Sequence, residues 1–134
     1  MKIKAILILF LAIILGSSPS TQAQTNRQVK IQINQTKRIF RNNLTVKFVS
    51  LVEDSRCPVD ANCVWAGNAK IQVRVTDARG RSESFELNTN TGAKGASFGG
   101  YAINLTAVEP SPRANVRLNR NAYTATFNIS KLTR

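Results

Sequence analysis

The sequence predicts an all-β domain, an antiparallel β-sandwich or partly open barrel of about seven strands, with one short disulfide loop. Three observations predict it. Apolar residues recur at every second position in several separated runs, the period of a half-buried strand and not of a helix. Breaks rich in Gly, Pro and Asn divide those runs at spacings typical of antiparallel sheets. The only two cysteines, Cys57 and Cys63, fall close together in one polar segment.

The chain opens with Lys2 and Lys4, and from Ala5 to Leu15 all eleven residues are apolar. A charged start and an apolar run of this length are the pattern of a secretory signal, and eleven residues are too few to span a bilayer as a helix. Small residues then lead to Thr21-Gln22-Ala23, so cleavage is expected after Ala23. No cysteine stands at that point, which argues against a lipoprotein. A signal over 1–23 leaves one domain, 24–134, with no membrane span. Taking 23 from 134 residues leaves 111, and losing Lys2 and Lys4 lowers the formal charge from +12 to +10. A chain of that size can enclose one modest core.

Along the domain, 28–34 reads as a strand with Val29, Ile31 and Ile33 inward. The run 44–52 is apolar on both faces near its end (Phe48, Val49, Leu51, Val52), as a central covered strand would be. Residues 70–87 read as a hairpin. For Ile71, Val73 and Val75 to share a face with Phe85 and Leu87, the loop must be three residues long, Ala78-Arg79-Gly80. That pairs Val73 with Phe85 and Ile71 with Leu87, and puts Gly80 at the left-handed position such loops require. Residues 92–100 are Gly-rich and lack the ending of a phosphate loop, so a flexible connector is expected there. Strand 101–108 should turn Tyr101, Ile103, Leu105 and Ala107 inward. Pro110 and Pro112 mark a loop, Val116 and Leu118 suggest a short strand, and 122–130 should bury Tyr123, Ala125, Phe127 and Ile129. In that last run Thr124, Thr126 and Asn128 would face outward.

An even cysteine count in an exported chain points to a disulfide. Closing so small a loop stabilises the fold by about 2 kcal/mol on the chain-entropy argument. The sharper alternative, a metal held by Cys57, Cys63 and Asp54 or Asp60, lacks any histidine and would be an unusual ligand set. No metal or other cofactor is expected. Redox chemistry is disfavoured by the Cys-x5-Cys spacing.

The cysteines sit in Asp54-Ser55-Arg56-Cys57-Pro58, four further residues, then Cys63-Val64-Trp65-Ala66-Gly67. This motif resembles that of a family of small exported bacterial proteins of unassigned function, and the layout of 101–130 is loosely similar too. The resemblance implies a β-sandwich and bacterial export, and it brings no activity. Because it implies a bacterial source, Asn34, Asn43, Asn104 and Asn128 are not read as glycosylation sites, although each opens an Asn-x-Ser/Thr triplet.

The motif residues divide into a structural set and a contact set. Trp65 is expected to pack over the disulfide and close one end of the core, and Gly67 to permit a turn or bulge into the next strand. Asp54 and Ser55 could cap loop amides, and Arg56 could pair with Asp54 or Asp60. As a contact surface, Arg56, Pro58, Val59, Asp60 and Asn62 could present a fixed edge to a partner.

An enzyme is not expected. Without histidine there is no imidazole base, and bonded cysteines leave no thiol nucleophile. Glu53 with Asp60 is the one carboxylate pair worth weighing for glycoside cleavage, but no cleft is evident around it. The expected function is therefore an exported binding module in the periplasm or medium, its partner a protein or glycan, with the 57–63 loop as contact surface. A second version uses charge. Lys30, Lys37, Arg38, Arg41 and Lys47, with Arg74, Arg113, Arg117 and Arg120 later on, could hold an anionic polymer. These cations are spread along the chain, the ordinary pattern of a solvated surface. Few aromatics lie among them, so nucleic acid is not an expected ligand. A structural subunit that assembles through a strand edge is the third class, but cations on outward positions favour a monomer.

Overall fold

The computed structural model describes residues 16–19 and 25–133. Most of the expected signal segment, including the cleavage site after Ala23, lies outside the described residues. Eight strands form: β1 Asn26–Gln32, β2 Thr36–Ile39, β3 Leu44–Asp54, β4 Ala69–Asp77, β5 Ser82–Asn88, β6 Gly95–Phe98, β7 Tyr101–Glu109 and β8 Thr124–Lys131. A single turn of 3-10 helix, Arg120–Ala122, precedes β8. Among the described residues, no helix is long and apolar enough to cross a membrane.

The strands make two separate antiparallel sheets, β1-β8-β7-β6 and β2-β3-β4-β5, so the architecture is a sandwich and not a barrel. The chain starts in the first sheet, crosses to build all of the second, and returns for β6 to β8. Between the sheets lie the inward residues of both, with Phe48, Phe127, Ile31, Leu44, Ile71, Leu87, Ile103 and Ile129 the largest side chains shut away from solvent. Period-two alternation produces this core directly, since alternate side chains of a strand point to opposite faces.

The central hairpin has the register the apolar pattern demands. Ile71 stands opposite Leu87 and Val73 opposite Phe85, and the loop is Ala78-Arg79-Gly80, with φ +83° at Gly80. The Asp77 carboxylate closes this turn by accepting from the backbone N–H groups of Arg79 at 2.9 Å and Arg81 at 3.0 Å.

Five expectations need correction, and most of them trace to backbone events that residue type does not announce. In β7 a bulge between Leu105 and Ala107 flips the alternation, so Val108 and not Ala107 enters the core. In β3, register shifts after Phe48 and Leu51 turn the far end of the strand outward, and Val52 is half exposed instead of covered. The Gly-rich 92–100 stretch is not all connector, because Gly95–Phe98 pairs with Tyr101–Asn104 to form β6 and the outer edge of the first sheet. The fourth concerns Val116 and Leu118, which lie in a loop and not in a strand. Thr126, expected outside, is also buried, and its carbonyl accepts from the Thr106 hydroxyl at the bulge.

Candidate functional site

Between the end of β3 and the start of β4 the chain makes a fourteen-residue excursion, 55–68, which carries all of the cysteine motif but its first residue. That first residue, the last of β3, is Asp54. Its two carboxylate oxygens accept from the Nε and Nη2 atoms of Arg56, each at 2.8 Å, in the bidentate geometry that guanidinium and carboxylate favour. The rest of the Arg56 fork donates across to the other sheet, to the backbone carbonyls of Val108 and Pro110. Arg56 thus ties the last turn of β3 to the end of β7. Of the two partners the sequence offered it, Asp54 is the one it takes.

The Asp54 carboxyl accepts four hydrogen bonds. Partial burial alone would raise its pKa, but the hydrogen bonds and positive charge of Arg56, with a 3.4 Å bond from the Tyr123 hydroxyl, hold it below the ordinary carboxylate value. Tyr123 moves the other way. Burial, and then the neighbouring Asp54 charge, push its hydroxyl above the usual tyrosine value.

Cys57 and Cys63 are bonded, with their Cα atoms 5.9 Å apart. Both sulfurs being in the bond, the thiolates that a metal would need are not there. The loop they close docks on the 110–114 segment by two bonds: Val59 N–H to the Pro112 carbonyl at 3.0 Å, and Ala114 N–H to the Asp60 carboxylate at 2.8 Å. At the exit, Gly67 takes φ +68°, and any Cβ there would collide with the Ser55 backbone carbonyl, so glycine is required twice over. The Ser55 hydroxyl pairs with the backbone of Asn68, donating to its carbonyl and accepting from its N–H.

Asn68 is a buried polar residue that anchors the next loop as well. Its Nδ2 donates to Asn88 Oδ1 at 2.8 Å, and its Oδ1 accepts from the N–H groups of Asn90 and Thr91. No sequence argument singled out Asn68, Asn88 or the Tyr123 hydroxyl as part of the site. The available signal was the Gly67-Asn68 pair at a strand entry, where a short amide side chain after a forced turn is well placed to satisfy loop amides.

The predicted residues therefore separate. Asp54, Ser55, Arg56, Asp60 and Gly67 are engaged inward or across to the neighbouring loop. Pro58 is partly covered, whereas Val59 and Asn62 face solvent. Trp65 does not cover the disulfide or close the core: it is 68% exposed, and Val64 beside it is 93% exposed. The reason is steric. The Gly67 turn and the Asn68 anchor hold the backbone at the rim, and the core beneath is already filled by the strands.

Glu53 lines two shallow hollows, one of about 300 Å³ with Asp54, Arg120 and Tyr123, the other of about 360 Å³ with Lys70 and Asn88. Asp60 lines neither of these two hollows. Comparison with protein-family models, with curated proteins and with solved structures finds no match to this chain.

Proposed function

We propose that the chain is an exported, non-catalytic binding module of the bacterial periplasm or medium. Its contact surface is the face that the cysteine excursion presents, and its partner is a protein or a glycan. The likeness of 54–67 to small exported bacterial proteins belongs to this proposal, as does the location.

One observation carries the reading. Trp65 and Val64 stand in solvent on a backbone fixed by a disulfide, a bidentate ion pair, a glycine-only turn and a buried asparagine. Flexible loops expose apolar side chains at little consequence, but here an aromatic is held out on a rigid support. Val59, 60% exposed, lies in the same disulfide loop, and its N–H bonds to Pro112 in the 110–118 segment, where Val116 is 53% exposed. A flat aromatic with a polar N–H on a preorganised loop loses little entropy on docking, and such residues dominate binding energy where they occur.

The test is quantitative capture from the envelope fraction of a producing bacterium, with wild type and Val64→Ser/Trp65→Ala side by side. The double variant should fold normally and lose the ligand that wild type retains. Equal capture by the two proteins would sink the assignment of this face.

A further inference from the structure

We propose that a second, separate site lies at the cleft lined by the outer strands β1 and β2 of the two sheets, and that it binds a linear polymer carrying repeated phosphate groups.

The site is a product of topology. Residues 33–35 turn the chain from one sheet to the other, with Asn34 at φ +69° and the turn fixed by Ile33 N–H to the Tyr123 carbonyl and Asn34 N–H to the Phe48 carbonyl. That corner makes β1 an outer strand of one sheet and β2 an outer strand of the other. The cleft between them, about 390 Å³, is lined by residues 27–30 and 37–42. Cations that look scattered in the sequence are thereby collected: Arg27, Lys30, Lys37, Arg38 and Arg41 rim the cleft, over a floor that includes Val29, Ile39 and Phe40.

Among the described residues, none of these five cations is in an ion pair. No Asp or Glu occurs before Glu53. The three ion pairs among the described residues belong to Arg56, Lys70 and Arg81, none of them in the cleft. Five like charges gathered around one groove repel one another, and an anion relieves that repulsion.

The groove is also partly preorganised. The Arg27 guanidinium lies over the Phe40 ring at 5.6 Å, and Phe40 stacks on Tyr101 with ring centroids 4.8 Å apart. Phe40, Arg41 and Asn42 all adopt left-handed backbone, φ 52°, 56° and 68°, a conformation that side chains resist. The tight turn that results, closed by Asn43 N–H to the Phe40 carbonyl, sets Arg41 at the mouth of the cleft.

The chemistry of the ligand follows from these features. Arg27 and Lys30 leave opposite faces of β1 about 10 Å apart along the strand, so the charge around the cleft is spread more widely than a single small anion and suits several. Three of the five cations are arginines, whose forks pair well with phosphate oxygens. The Phe40 ring is occupied by Tyr101 and Arg27, which leaves no aromatic platform on which a nucleic-acid base could stack. The occupant is a phosphate-bearing chain without bases.

The test measures binding of end-labelled inorganic polyphosphate and of a glycerol-phosphate oligomer by fluorescence anisotropy at about 0.15 M salt. Four proteins are compared: wild type, Lys30→Glu/Arg38→Glu, the equally charged control Arg74→Glu/Arg79→Glu, and Trp65→Ala. The groove variant should weaken binding by about tenfold or more, and the control by about twofold or less. Trp65→Ala should bind as wild type does, so this site stands or falls apart from the cysteine face. Binding of one polymer and not the other identifies the source of the phosphate chain. If charge reversal should disturb the fold, Lys30→Gln/Arg38→Gln is read in its place. Equal losses in the two double variants would reduce the effect to net charge, and absence of binding to both polymers would end the proposal.

Discussion

Arg56 and Arg41 make an instructive pair. Both follow the end of a strand of the same sheet, yet every donor group of Arg56 that the structure places has a partner within the molecule, and Arg41 is in none of the ion pairs among the described residues. At the end of the sandwich around Arg56, the Asp54–Arg56 charges are matched and the exposed side chains include Val59, Val64 and Trp65. The edge around Arg41 is the reverse, with an apolar floor covered by unmatched cations. On the proposals above, matched charge serves architecture and unmatched charge serves affinity, so substitutions at the two regions should separate stability from binding.

The largest loss of stability is expected at Gly67. Gly67→Val meets both the left-handed φ and the Ser55 carbonyl, and should cost on the order of 3 kcal/mol or more in chemical denaturation. Gly80→Val sharpens the contrast. Gly80 has a similar φ but nothing within reach of a Cβ, so only the conformational penalty remains, about 1 kcal/mol. If the two glycines behave alike, the close packing of the excursion against Ser55 is wrong.

Arg56→Ala ranks near Gly67→Val. It leaves the half-buried Asp54 carboxylate unpaired and the Val108 and Pro110 carbonyls without a donor, a loss of about 2 to 3 kcal/mol. Removing the disulfide with Cys57→Ser/Cys63→Ser should cost about 2 kcal/mol by loop-closure entropy, readable as a lower denaturation midpoint at unchanged slope. Arg79→Ala should be nearly silent, within about 0.5 kcal/mol, because the hairpin uses only its backbone N–H.

The ion pair also has a signature in pH. The folded-state pKa of Asp54 lies below its ordinary 3.8, so the carboxylate contributes stability that is fully present above that value and is lost as pH falls through the lower, folded value. Wild type should therefore exceed Asp54→Asn in stability at neutral pH, with the gap closing as solutions are made more acid than about pH 4. A gap that is independent of pH would mean that Arg56 does not hold the ionised form.

How much of this was legible in the sequence depends on which residues one asks about. The β4–β5 register could be read outright, because only one loop length puts Ile71, Val73, Phe85 and Leu87 on one face. The disulfide was equally plain from two cysteines in one short segment. Parity failed wherever the backbone slipped by a residue, as at the bulge that exchanges Ala107 for Val108, since a bulge changes the face without changing the composition. Trp65 misled for a different reason. A large aromatic beside a disulfide is ordinarily core, and only the three-dimensional position of the Gly67 turn places it at the rim. The cation groove was hidden because its members belong to two strands in different sheets, and their meeting is a fact of topology that charge counting along the chain misses.

The central claim is that the cysteine excursion is a rigid support that displays Trp65 for contact. Trp65 is the only tryptophan, so its emission reports on this surface alone. The most direct measurement follows that emission while envelope extract is added to wild type and to the Cys57→Ser/Cys63→Ser variant. The account predicts a spectrum typical of solvent-exposed indole at the start, a saturable blue shift with wild type, and a weaker or absent one once the loop is cut. A blue-shifted spectrum before any addition, or no response to any fraction, would contradict it.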